Sequence, residues 1–373
     1  MALSDVTLPV MSNIPIKKED ISVGWLTDRL SNLGYCRIDK LQLEVMTGHN
    51  PHLSQLFRVR IEYIVRTADH PDVVVLKIPP ENQAIRLREA ALGPYDSEAG
   101  CYQLLEEFQG FRLPRMYSLT QDIDESTACF VFEDIGPLQE GRKYAELGLR
   151  EILQVLEFIA AYQAKFWLDE SLSQRHWIHD SGWSYLFNQN PMESALGWQA
   201  INQDAQIEKT EGLILAGEFL SSRLTDLMKI MNDRPNTLTH NDLHHGNILL
   251  RKSDGLFEPV LIDWQLAAYA GGTNDLAKFL MTSVPFNILR QREKNLVRYF
   301  VDCLHGRGII DYSFDECWKD YRRAQVMVLA NYAISGVHRL PDGILEISKG
   351  DSTKSVIKAF EIVDPQELVE ILP

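Results

Sequence analysis

The stretch LTHNDLHHGNILL, residues 238–250, sets three histidines, an aspartate and two asparagines between two apolar strings. Leucine and isoleucine on either side predict a buried strand entering and another leaving, with a polar loop from His240 to Asn247 held between them. Two chemistries use such a loop. A zinc site needs about three or four ligands in tetrahedral geometry, and His240, His244 and His245 supply imidazoles, two of them in an H-x3-H spacing that suits one helical face. The apolar, β-rich flanks and Gly246 inside the segment weigh against a helix there.

Phosphoryl transfer uses other residues of the same loop. His240, Asp242 and Asn247 reproduce H-x-D-x-x-x-x-N, the spacing of a kinase catalytic loop. In that chemistry the aspartate orients an attacking hydroxyl and accepts its proton, while the asparagine amide oxygen coordinates Mg²⁺. A second metal carboxylate is then expected on the following hairpin. ILLRKSDGLFEPVLIDW, residues 248–264, reads as that hairpin with Ser-Asp-Gly as its turn, and VLIDWQ places Asp263 directly after the apolar strand. Mg²⁺ takes hard oxygen ligands, which Asn247 and Asp263 provide.

The first part of the chain reads differently from the second. Residues 20–34 predict a capped amphipathic helix ending at Gly34. LQLEVM (41–46), LFRVRIEYIV (56–65) and DVVVLKIP (72–79) predict strands, as does ACFVFEDIG (128–136). Residues 83–108 read as helix, with Pro94 marking a break or a fresh start. Beyond these, LREILQVLEFIAAYQAKFWLDE (149–170) is strongly amphipathic, and residues 286–373 return to helix, VMVLANYAISG (326–336) as a core segment. The expected fold class is α+β and bilobal: a β-rich part over residues 1–134 and a mainly helical part over 135–373.

Within the first part, Lys77 sits in VVVLKIP as a buried strand lysine would, although a lone strand lysine is more often an edge charge. Glu98, in the helix opened by GPYDSEAGCYQLL, is the candidate ion-pair partner, with Glu89 its rival. FVFEDIG suits a segment linking two lobes, where backbone groups of Glu133, Asp134 and Ile135 meet an adenine edge.

A length of 373 residues suits two lobes. The formal charge of −15 argues against nucleic acid as the main partner and leaves room for a cationic substrate. Cys36, Cys101, Cys129, Cys303 and Cys317 are scattered, without a CxxC pair, which fits a reducing compartment and gives no disulfide framework. The N-terminus lacks a basic start followed by an apolar run, and no apolar stretch approaches the roughly 20 residues that span a bilayer. A cytoplasmic location, with no membrane partner, is the expectation. Trp167, Trp177, Trp183 and Trp198, with Tyr185 and Phe187, read either as an aromatic substrate pocket or as helical core.

Taken in order, VVLKIP, GPYDSEAGCYQLL, FVFEDIG, AYQAKFW, HNDLHHGNILL, VLIDWQ and GGTNDLAKFL span residues 74–280, and WLTDRLSNLG precedes them. In these stretches the chain resembles the aminoglycoside-phosphotransferase and choline-kinase superfamily, and within it the ecdysteroid-kinase-like branch of small-molecule kinases. The resemblance implies a protein-kinase-like fold, ATP, Mg²⁺ and phosphorylation of a hydroxyl on a small organic molecule; the acidic charge and the aromatic cluster favour an amine-bearing or sterol-like alcohol and leave a sugar open. By the same resemblance Asp242 is the catalytic base, Asn247 and Asp263 hold metal, Lys77 contacts phosphate, Asp275 braces the catalytic loop and His240 is structural.

Three departures accompany it. The phosphate-covering loop expected near residues 46–56 has one glycine, Gly48, where relatives often have two. Gln163 stands where relatives usually carry histidine, and no Ala-Pro-Glu-like segment follows Asp263, unlike protein kinases. A nucleotide-binding protein without turnover, and a metal hydrolase built on His240, His244 and His245, are the alternatives.

Overall fold

The computed structural model describes residues 14–46, 54–90, 93–106, 113–122, 127–136, 147–179, 192–253, 256–339, 345–347 and 350–372. Two compact units emerge, Met1–Tyr102 with Pro114–Ile135, and Gln103–Leu113 with Gly136–Pro373. The architecture is α+β, with a β-sheet in the N-terminal unit and mainly helix in the C-terminal one.

The N-terminal unit is built on a five-stranded antiparallel sheet of β1 (Arg37–Val45), β2 (Gln55–Val65), β3 (Val73–Ile78), β4 (Met116–Asp122) and β5 (Thr127–Glu133), in the order β1-β2-β3-β5-β4. The valine-rich run is the central strand. Val74, Leu76 and Ile78 point to one face and are fully buried, because β3 has a neighbour on each edge and α1 (Val23–Leu30) contributes Leu26 and Leu30 to the same core. Ser22 caps α1 by accepting the Trp25 N–H at 3.1 Å, and the helix closes through a short 3-10 turn at Gly34, whose φ of +113° favours glycine. The helical region from residue 83 divides into α2 (Gln83–Ala90) and α3 (Pro94–Glu106). Gly93, at φ +67°, and Pro94 at the first helical position make it a fresh start rather than a kink. On the second face of the sheet Tyr102 of α3 packs on Phe132, with ring centroids 4.8 Å apart.

The C-terminal unit opens with α4 (Leu149–Lys165), α5 (Met192–Gln203) and α6 (Glu211–Asn232). Then come β6 (Asn236–Thr239), the hairpin of β7 (Ile248–Ser253) and β8 (Leu256–Leu261), and β9 (Ala268–Gly271), which pairs antiparallel with β6. The rest is α7 (Thr273–Ser283), α8 (Phe286–His305), α9 (Phe314–Gly336), the paired β10 (Val337–Arg339) and β11 (Leu345–Ile347), α10 (Asp351–Ala359) and α11 (Pro365–Ile371). Every residue of α7 is buried, enclosed by α4, α8, α9 and α10. A helix without a solvent face still carries Asp275 and Lys278, and charges in such a place must find partners inside the protein. Those partners belong to the loop with which the sequence reading began. No helix among the described residues is long and apolar enough to cross a membrane.

Candidate functional site

The loop from His240 to Asn247 leaves β6 and enters β7, as the apolar flanks predict. Asn241 sits at φ +63°, a left-handed conformation that asparagine tolerates better than most residues. The turn is held from α7. The fully buried Asp275 carboxylate accepts the backbone N–H of His240 at 2.8 Å and that of Asn241 at 2.7 Å, and the Tyr162 hydroxyl of α4 at 2.5 Å. Burial pushes the Asp275 carboxyl up from its ordinary value, against the opposing pull of the His240 side chain and these donors.

His240 joins the loop to the hairpin. Its Nε2 donates to the Ile262 carbonyl at 2.9 Å, its Nδ1 accepts the Asp242 N–H at 3.3 Å, and its ring packs against Trp264 at 4.6 Å between centroids. Both ring nitrogens are thereby engaged within the protein. His244 Nδ1 accepts the Gly246 N–H at 2.9 Å, and His245 Nδ1 meets the Thr282 carbonyl at 3.1 Å. At that contact a Cβ on residue 246 would lie 2.6 Å from His244 Cε1, so any larger residue than Gly246 pushes the imidazole aside. The three imidazoles therefore serve three different backbone partners instead of converging on one point. Among the described residues no three His, Cys, Asp or Glu side chains form a metal-holding group.

Asp242 and Asn247 face each other across the loop. The Asn247 Nδ2 donates to the Asp242 carbonyl at 2.9 Å and lies 3.3 Å from its Oδ2, which fixes the amide and leaves its oxygen as the atom free to ligate. Asp242 Oδ1 accepts a 2.6 Å charge-assisted bond from Lys278 of α7, and His244 Nε2 lies 3.6 Å from Oδ2. Burial works to raise the Asp242 pKa, but the Lys278 ammonium, aided by His244 and His240, outweighs it and holds the carboxyl below its ordinary value. His244 is lowered, because burial outweighs the attraction of Asp242.

The β7–β8 hairpin supplies the third polar group. Ile248 pairs with Leu261, and the Ile262 N–H donates to the Asn247 carbonyl at 3.1 Å, so the chain delivers Asp263 beside the end of the 240–247 loop. Asp263 is itself at φ +67°, another turn conformation better suited to Asp or Asn than to a branched residue. Residues 254–255 of the Ser-Asp-Gly turn lie outside the described residues. Gln163, the departure noted in AYQAKFW, donates to the Gly272 carbonyl at 2.9 Å and accepts the Thr237 hydroxyl on its backbone oxygen at 2.7 Å, tying α4 to β6 and the start of α7.

In the N-terminal unit, Lys77 lies on the central strand rather than at an edge. Its Nζ donates to Glu98 Oε2 at 2.6 Å, with 6% of the lysine and 1% of the glutamate exposed. Glu98 is thus a carboxylate that meets it, as the sequence reading expects, and the side chain of its rival Glu89 lies outside the described residues. At the end of β5 the Glu133 N–H donates to the Arg115 carbonyl at 2.8 Å, and Asp134 accepts Arg58 at 2.9 Å. Ile135 follows at the close of the unit. Gly48 lies outside the described residues, as do Trp183, Tyr185 and Phe187. Trp198 is core, packed so closely on Gly217 that a Cβ there would fall within its ring, while Trp167 packs against Tyr312.

The residue that sequence reasoning missed is Lys278. It stands in NDLAKFL, a stretch singled out only for Asp275, and the signal available was a second charge three positions along the same apolar helix.

With the geometry established, comparison with known proteins places the chain. The family model described as the ecdysteroid kinase-like family matches residues 49–307. The chain belongs to the ecdysteroid kinase-like family. As a member it is a small-molecule kinase. Among curated proteins none matches it. Solved structures similar to this ecdysteroid kinase-like chain include the aminoglycoside phosphotransferase APH(2")-IIia in complex with GDP and kanamycin, at 12% identity over 94% of this chain and 99% of that one, with a TM-score of 0.50. A choline kinase from Cryptosporidium parvum Iowa II is similar at 14% identity over 89% and 92%, also with a TM-score of 0.50. At these identities the likeness is one of fold.

Proposed function

We propose that the protein transfers the γ-phosphoryl group of ATP, with Mg²⁺, to a hydroxyl of a small organic molecule. The observation that supports this most is the pairing of Asp242 with Asn247 in a loop braced from a buried helix, because it presents a carboxylate and an oriented amide oxygen side by side. Asp242 is the base. It orients the acceptor hydroxyl and takes its proton as the acceptor oxygen bonds to the γ-phosphorus and the bond from that phosphorus to ADP breaks. Its depressed pKa keeps it ionised, and so ready to accept, at neutral pH.

The donor set fits a hard divalent cation: the Asn247 amide oxygen, fixed by the amide's bonds to Asp242, and the Asp263 carboxylate that the hairpin register delivers. When bound, Mg²⁺ neutralises charge on the phosphates. In the N-terminal lobe of the proposed kinase, residues 1–134, Lys77 held by Glu98 contacts phosphate. Gly48 belongs to the loop covering the phosphates. The Glu133 carbonyl, with the backbone of Asp134 and Ile135, receives the adenine edge, the Glu133 N–H being taken by Arg115. Residues 135–373 carry the loop and the acceptor site. The GDP and kanamycin of the aminoglycoside phosphotransferase support nucleotide use and a hydroxyl acceptor by analogy of fold. The assignment of this small-molecule kinase to the cytoplasm rests on its dispersed free cysteines.

Thermal unfolding with and without nucleotide tests the proposal. A ligand bound only by the folded state stabilises it by mass action, so MgATP raises the midpoint and ATP without metal raises it less. A midpoint unmoved by millimolar MgATP counts against the reading.

A further inference from the structure

The helix α7 carries two charged side chains on one face, three residues apart and both buried. Asp275 accepts the loop's backbone N–H groups. Lys278 does something separate: its Nζ lies 2.6 Å from Asp242 Oδ1 and 3.4 Å from the Asn241 carbonyl, with the Tyr332 ring of α9 at 5.8 Å. Burial disfavours the ammonium, yet Asp242 outweighs it, so Lys278 stays charged. The only carboxylate oxygen within hydrogen-bond distance of Lys278 among the described residues belongs to the group assigned as the base.

We propose that Lys278 is a positioning residue for phosphoryl transfer, an inference that rests on the kinase reading of Asp242. Lys278 fixes the carboxylate through Oδ1 and leaves Oδ2 to receive the acceptor's proton. It also balances the carboxylate's charge, so that an acceptor with an ammonium beside its hydroxyl is disfavoured.

A carboxylate held only by the Asn247 amide turns about its own Cβ–Cγ bond and exchanges its oxygens; a short charge-assisted bond to one oxygen removes that freedom. The second contact, to the carbonyl of Asn241, ties the same ammonium to the backbone at the left-handed turn, so side chain and loop are fixed together. Lys278 also sets the charge beside the carboxylate. An unpaired aspartate would attract a cation next to the reacting hydroxyl, but here the cation is already supplied by the helix. A second one would meet like charge in a partly water-excluded site, where repulsion is stronger than in bulk water and falls with distance.

Kinetics of the full chain with MgATP test this, using amino alcohols and their N-acetyl derivatives in a series that lengthens the chain between nitrogen and hydroxyl. The wild type favours the uncharged member by about tenfold or more in kcat/KM at the shortest spacing, and the preference fades as the spacing grows. Lys278→Met lowers kcat by about a hundredfold, with KM for ATP nearly unchanged, and erases the charge preference. Lys278→Arg recovers part of kcat and restores the preference, which a merely structural role would not do. Equal use of both members at the shortest spacing by the wild type overturns the proposal, and that result needs no variant to fold. So does a Lys278→Met protein that loses kcat but keeps the preference. Phosphoester products formed with the wrong charge preference overturn the proposal alone, whereas no phosphoester from any alcohol removes the kinase reading and this inference with it.

Discussion

The Asp275 carboxylate accepts the backbone N–H of Asn241 at 2.7 Å, and Asn241 is the residue at which the loop 240–247 turns through a left-handed conformation. A side chain on a buried helix thus determines the shape of a loop 34 residues earlier in the chain. Such a bond does more than add stability. An unsatisfied N–H at that turn would favour other loop conformations, each placing Asp242 differently.

Asp275→Ala removes the acceptor of three buried donors: the His240 and Asn241 N–H groups and the Tyr162 hydroxyl. The expected cost is about 3 kcal/mol or more. Asp275→Asn keeps one acceptor oxygen and costs less. Chemical denaturation of both variants checks the order, and an alanine variant as stable as the wild type contradicts the bracing role.

Asp263→Asn tests the proposed metal carboxylate with little backbone strain, because asparagine tolerates the left-handed φ of +67° found there. The variant folds normally, loses turnover and loses most of its Mg²⁺-dependent nucleotide affinity, since two neutral amides replace an amide and a carboxylate. Calorimetric titration with ATP, with and without Mg²⁺, provides the readout. An unchanged Mg²⁺ dependence means that the segment after β8 holds no metal.

Much of this site was legible because its parts are short motifs whose geometry is local. The spacing from His240 to Asn247, the aspartate after the hairpin strand and the lysine in a valine run each need only their own element to form. What the sequence withheld was non-local. The pairing of Lys77 with Glu98 turns on how a helix packs across a sheet. The lysine partner of Asp242 turned on the enclosure of α7 on every side, which an apolar pattern alone does not distinguish from one-sided burial. The strand β4, with intermediate burial along nearly its whole length, offered no clean alternation to read.

His244→Ala and His245→Ala separate the two chemistries first posed by the loop. His244 caps the short turn through the Gly246 N–H, a contact worth about 1 kcal/mol, and His245 anchors to the Thr282 carbonyl. Both variants keep ATP binding and a large share of turnover. Elemental analysis of the wild type adds the decisive control: one zinc per chain, lost in both variants together with activity, reverses the ranking and contradicts the kinase loop.

In the proposed reaction Asp242 carries no phosphate itself but directs an acceptor hydroxyl to ATP. Phosphorus NMR of a reaction containing MgATP and a panel of small alcohols, run with wild type and Asp242→Asn, tests it most directly. Asparagine keeps the shape of the side chain and a carbonyl oxygen for Lys278 but has no basic carboxylate. The wild type is expected to yield a phosphomonoester signal as the γ-phosphate signal of ATP declines, while Asp242→Asn binds MgATP nearly as tightly and yields none. A phosphomonoester formed at the wild-type rate by Asp242→Asn, or none from any alcohol with the wild type, contradicts it.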